Sequence, residues 1–75
     1  MLNVGNGSYV KIHEIEAIVP PESAPIKRMV STSKDNEQCV DLTYGKRTKS
    51  VIVLKSGKLV LSSVLPDTLV NKLNK

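Results

Sequence analysis

Apolar and polar positions alternate along most of this chain with a period near two, and in two stretches they recur at helical spacing instead. Leu2 to Val4 reads as a short opening strand, broken by the turn cluster Gly5-Asn6-Gly7. Ser8 to Ile12 is extended, with Tyr9 on one side and Val10 and Ile12 on the other. Glu14-Ile15-Glu16-Ala17-Ile18-Val19 predicts another strand, although its alternation slips at Ile18. Pro20-Pro21 ends it, because neither residue can donate to a ladder. Ser23-Ala24-Pro25-Ile26 then signals a helix start, with Ser23 placed to cap free amides and Pro25 in the first turn, where its missing N–H costs little. Ile26, Met29 and Val30 recur at i, i+3 and i+4 and make one apolar stripe, while Lys27, Arg28, Ser31 and Lys34 fall mostly on the other side. Asp35-Asn36 closes the helix, Asn36 being able to take a left-handed conformation.

The second half repeats the alternation. Val40, Leu42 and Tyr44 alternate with Cys39, Asp41 and Thr43, a strand with two distinct faces that Gly45 breaks. Val51 to Leu54 and Leu59 to Val64 flank Lys55-Ser56-Gly57-Lys58, the pattern of a hairpin turning at the Ser-Gly pair. Pro66 opens a short helix in which Leu69, Val70 and Leu73 are expected to face inward. Strands, helix, strands, helix: the expected class is α+β, a small, mainly antiparallel sheet with two short helices, as one domain over residues 1–75.

Length changes the picture first. A domain of 75 residues buries only about 60% of the surface its unfolded chain exposes, so its core is thin. Cys39 is the only cysteine and His13 the only histidine, which excludes an internal disulfide and a cysteine-based zinc site. Self-association is the common remaining source of buried area, and a homo-oligomer is expected. No apolar run approaches the roughly 18 residues of a membrane span. The first residues lack the basic and apolar regions of a signal peptide, so a cytoplasmic location is expected.

Charge changes it again. The net charge is +4, divided as −1 over residues 1–40 (four basic, five acidic) and +5 over residues 41–75 (seven basic, two acidic). Such a basic half favours polyanionic partners. Catalytic readings find little to stand on. Cys39 and His13 have no spacing that orders a nucleophile and its base, and Cys39 reads as a small core residue. Glu14 and Glu16 alternate with apolar neighbours, as on the solvated face of a strand, and Gly5-Asn6-Gly7 lacks the rest of a dinucleotide fingerprint. No enzyme activity, cofactor, metal, membrane or small-molecule substrate is expected.

With no Trp, no Phe and only Tyr9 and Tyr44, the chain offers no stacking platform for single-stranded nucleic acid. What it offers is Tyr44-Gly45-Lys46-Arg47-Thr48-Lys49, a basic turn between two strands. Arg47 can grip a phosphate through two nitrogens, Lys46 and Lys49 act as point charges, and Thr48 adds a hydroxyl or amide. Tyr44 and Gly45 would shape the turn, glycine letting backbone approach a ligand closely. About three phosphate contacts per subunit bind weakly, and repetition around an oligomer multiplies them through avidity.

Two segments carry a family resemblance: Pro21-Glu22-Ser23-Ala24-Pro25-Ile26-Lys27-Arg28-Met29, and Asp41-Leu42-Thr43-Tyr44-Gly45-Lys46-Arg47-Thr48-Lys49-Ser50-Val51-Ile52-Val53. Together they resemble the RemA family of bacterial extracellular matrix regulators, and the likeness extends from Leu2 to about Leu73. The resemblance implies a DNA-binding transcriptional activator of biofilm matrix genes, a subunit similar to LytTR-type DNA-binding domains, and a ring-shaped homo-oligomer, an octamer, with DNA following its outside. It also implies roles for single residues. Two adjacent family arginines fall on Lys46 and Arg47, so one fork-shaped donor is replaced by a point charge. A further family arginine falls on Glu14, which reverses the charge and leaves Lys11 as the auxiliary candidate. A family glycine after the first helix is Glu37 here, with Asn36 as the helix terminator. Lys27 and Arg28 are candidates for subunit contacts. The competing class is an oligomeric scaffold that binds an acidic protein, its DNA affinity incidental.

Overall fold

The computed structural model describes residues 1–74. Its chain order is β1 (Leu2–Asn3), β2 (Tyr9–Val10), a 3-10 turn (Ile12–Glu14), β3 (Ile15–Val19), α1 (Ala24–Asp35), β4 (Cys39–Asp41), β5 (Ser50–Leu54), β6 (Leu59–Ser62) and α2 (Pro66–Leu73). This is the expected α+β class. β1 and β2 pair antiparallel as a small separate ribbon. The main sheet runs β3-β5-β6-β4, antiparallel except at its last strand, where β4 pairs parallel to β6. The parallel edge follows from α1, which carries the chain back across the sheet between β3 and β4 in a crossover.

Alternation along β5 and β6 divides the core into two. Ile52 and Val60 point to one face, where they pack with Leu2, Val4, Val10 and Leu69 of the ribbon and α2. Val51, Leu59 and Leu61 point to the other, beneath Ile26 and Val30 of α1. The slip in β3 is a register irregularity between Ile15 and Ala17, which turns both Ile15 and Ile18 toward the first cluster. Two buried serines join the layers. Ser62 Oγ donates to the Val4 carbonyl at 2.7 Å, and Ser50 Oγ donates to the Val64 carbonyl. At Gly5, φ is +96° and a Cβ would lie 2.9 Å from Val64 Cγ2, so only glycine lets the ribbon close onto the sheet.

Several expectations are corrected. The second strand stops at Val10, and Ile12 enters the 3-10 turn with its side chain exposed. The Ser23 hydroxyl makes no capping bond, because Pro25 at the second helical position removes one of the two amides it would reach. Met29 is 42% and Val70 41% exposed, each at the edge of its helix's apolar stripe. Strand β6 ends at Ser62, two residues early. Asn36 caps α1 with φ −95°, while Glu37 takes the left-handed position with φ +58°. Glu37 N–H donates to the Lys34 carbonyl (3.2 Å) and Gln38 N–H to the Ser33 carbonyl (2.8 Å), the bond pair of a Schellman motif. Cys39 is half-buried and packs at the margin of the second cluster.

Candidate nucleic-acid interface

Strand β4 ends at Asp41, three residues before the alternation in the sequence does, and the cause is local. The Asp41 carboxylate accepts the Thr43 amide at 2.9 Å and the Thr43 hydroxyl at 2.5 Å, which turns the chain out of the ladder. These two Thr43 bonds, the hydroxyl's first, hold the Asp41 carboxyl below its ordinary value; nearby Lys34 adds to the shift and burial opposes it. Thr43 is only 2% exposed, so the hinge of the loop is anchored in the fold.

From that anchor the chain makes a tight turn. Lys46 N–H donates to the Thr43 carbonyl at 3.0 Å, and the two central residues, Tyr44 and Gly45, have φ of +51° and +83°. Positive φ at both centres defines a type I′ turn. A Cβ on Gly45 would meet nothing within 4 Å, so the turn's backbone faces open space. Tyr44 is 67% exposed, and its hydroxyl lies 3.4 Å from Ser8 Oγ on the neighbouring ribbon. Tyr44 and Gly45 are the central residues of this turn, and Tyr44 lies in the turn itself rather than in the strand.

Beyond the turn, Arg47, Thr48 and Lys49 line one cleft of about 260 Å³ together with Pro20, Glu22, Leu65 and Pro66. Lys49 N–H donates to the Ser62 carbonyl at 2.8 Å, which fixes the end of the loop to the sheet. Lys46 points elsewhere: its Nζ donates to Asn6 Oδ1 at 3.1 Å. Thr48 also lines a second groove, along α1, with Lys27 and Lys34. Those two lysines lie seven positions apart on one helical face. Their spacing was legible, but their proximity to the loop was set by the crossover of α1 over the sheet.

Lys11 is not part of this cluster. It opens the 3-10 turn, its carbonyl accepting from Glu14 N–H at 3.1 Å, and the Glu14 carbonyl accepts from Lys55 N–H at the β5–β6 hairpin end. The basic loop joins β5 at Ser50, the other end of that strand. Lys11 and Glu14 therefore lie at the opposite end of the sheet from the loop.

The profile of the RemA-like family, described as extracellular matrix regulatory protein A-like, matches residues 1–73. The chain belongs to this family. Among its relatives is a protein of Lachnoclostridium phytofermentans, 43% identical over 74 residues that span 99% of this chain and 81% of that one. One from Coprothermobacter proteolyticus is 49% identical over 72 residues (96% and 69%), and one from Bacillus cytotoxicus 48% identical over 73 (97% and 84%). Each is named "Putative regulatory protein", and the RemA-like family is thus one of regulatory proteins.

Cys39 sits in β4 and His13 just before β3, at opposite edges of the sheet with β5 and β6 between them. Burial raises the Cys39 thiol above its ordinary value against the pull of Lys34, so at neutral pH it is protonated and a poor nucleophile. Among the described residues no group of His, Cys, Asp and Glu could hold a metal, and no helix is long and apolar enough to cross a membrane.

Proposed function

We propose that this RemA-like chain is a cytoplasmic DNA-binding transcriptional regulator, an activator of extracellular matrix genes, that holds duplex phosphates through basic loops repeated around a ring-shaped homo-oligomer of LytTR-like subunits. The observation that carries this reading is the convergence of Arg47, Thr48 and Lys49 on one cleft beside an open type I′ turn. Arg47 is the anchor because a guanidinium meets a phosphate with two parallel bonds, whereas Lys49 supplies a point charge. Thr48 joins that cleft to the groove of Lys27 and Lys34, so the positive surface continues onto α1. Oligomerisation is supported by apolar side chains that one subunit leaves uncovered: Ile12, Met29, Val40, Leu65 and Val70.

Titration of a long duplex at two salt concentrations tests it. Affinity should rise with duplex length, and log affinity should fall against log salt by about 0.9 for every phosphate contact engaged. Arg47→Ala should abolish retention of the duplex while the oligomer keeps its mass. Indifference to DNA near physiological salt would transfer the basic surface to an acidic protein partner, and loss of assembly in Arg47→Ala would make that residue structural.

A further inference from the structure

A single side chain on the β1–β2 ribbon holds the basic loop in place. Asn6 Nδ2 donates toward the carbonyls of Leu42 (3.2 Å) and Thr43 (3.4 Å) and toward Ser63 Oγ (3.3 Å). Its Oδ1 accepts from Lys46 Nζ at 3.1 Å. Both halves of one amide thus bind the two ends of the Thr43–Lys46 turn. Ser8, two residues on, adds the contact between its hydroxyl and that of Tyr44. Asn6 has φ +54°, in a turn closed by the Ser8 N–H bond to the Gly5 carbonyl at 2.9 Å. Asparagine is among the few side-chain-bearing residues that adopt this conformation readily, and it is the one whose short amide carries a donor and an acceptor together.

We propose that Asn6 is the positioning residue of the basic loop: it clamps the Thr43–Lys46 turn to the N-terminal ribbon, so that Arg47 and Lys49 leave the turn already aimed at their cleft. This rests on the DNA-binding reading for its consequence, though not for the clamp. One of the three Lys46 donors is taken by Asn6 Oδ1, so Lys46 acts in the latch and Arg47 and Lys49 act on the ligand. The latch is made of groups far apart in the chain, 36 to 57 residues from Asn6, and it orders a loop whose own backbone would otherwise be held mainly at its two ends. Ordering the loop beforehand removes that entropy cost from binding.

Asn6→Gly keeps the left-handed backbone and removes the clamp; Asn6→Asp keeps an acceptor for Lys46 but places a carboxylate against the Leu42 and Thr43 carbonyls. Two readouts on the full-length protein separate the parts of the proposal, with Arg47→Ala as the reference variant. Hydrogen exchange of the Lys46 amide should quicken roughly five- to tenfold in Asn6→Gly, the loss of one or two net hydrogen bonds, with the Ile52 and Val60 amides unchanged. Duplex affinity should fall by a similar factor at unchanged salt slope, whereas Arg47→Ala, whose residual binding is read at low salt, lowers the slope by about 0.9 for each subunit engaged. Unchanged Lys46 exchange would overturn the clamp, and so would faster exchange throughout the sheet, which would make Asn6 a general fold residue. Faster loop exchange with full affinity, while Arg47→Ala binds poorly, would overturn its role in binding. Were Arg47→Ala also to bind normally, the DNA reading would fall and the exchange data alone would decide the clamp.

Discussion

Asp41 and Thr43 show how a single residue pair ends a strand. Val40, Leu42 and Tyr44 have the alternation to continue β4, but the Asp41 carboxylate takes both the amide and the hydroxyl of Thr43, and the chain leaves the ladder there. Because those bonds favour the ionised carboxyl, its folded value lies below the ordinary 3.8. The stability it contributes is therefore fully present above about pH 3.8 and is lost as the pH falls through the depressed folded value. Asp41→Asn should lower stability at pH 7 by about 0.5–1 kcal/mol, the small end of the range because the site is exposed and solvent screens it. The same variant should show a shallower loss of stability between pH 4 and the acid limit. Thermal melts followed by circular dichroism across that window check both, and parallel acid profiles for the two proteins would remove Asp41 from the account.

The elements of the chain are set by their ends as much as by their stripes. α1 stops in a Schellman motif whose left-handed residue is Glu37, at a position where glycine would carry no Cβ penalty. A residue with a Cβ at that φ costs roughly 1–2 kcal/mol relative to glycine, partly offset by the greater freedom of glycine in the unfolded chain. Glu37→Gly should therefore raise stability by about 0.5–1 kcal/mol and the midpoint by roughly 3–8 °C for a domain of this size. A differential scanning experiment reads that shift, and a lowered midpoint would mean that the Glu37 side chain contributes more than its backbone loses. The apolar stripes of α1 and α2 are buried at their centres, in Ile26, Val30 and Leu69, and exposed at their margins, in Met29 and Val70. A helix on a sheet buries a band little more than a third of its circumference, and periodicity does not say where that band ends.

At the scale of the molecule, a Cα radius of gyration of 11.3 Å matches the ~11 Å of a packed domain of this length, so one subunit is already folded tightly. Its two apolar clusters are nonetheless small, one on each side of a four-stranded sheet, and sizeable apolar side chains, Ile12, Val40 and Leu65 among them, lie open on the surface. If assembly covers some of them, folding and association are linked, and the melting midpoint becomes dependent on concentration. The expected result is a midpoint that falls by roughly a few degrees for each tenfold dilution through the micromolar range, with a solution mass several times that of one chain. A midpoint independent of concentration together with a monomer mass would remove avidity from the proposed function and leave about three weak phosphate contacts per protein.

The order of the elements, the α+β class, the hairpin and the basic turn were determined by the sequence alone, because alternation, proline and glycine placement and local charge act over a few residues and need no partner. The candidate site was legible as far as Arg47, Thr48 and Lys49 lying together, since they are adjacent in the chain. Tertiary structure decided everything that depends on which distant segments meet. It made β4 the parallel edge, set Lys27 and Lys34 beside Thr48, removed Lys11 to the other end of the sheet and brought Asn6 against the turn. The physical reason is the same in each case. These placements follow from burying two apolar faces of one sheet at once, and that constraint belongs to the whole chain rather than to any window of it.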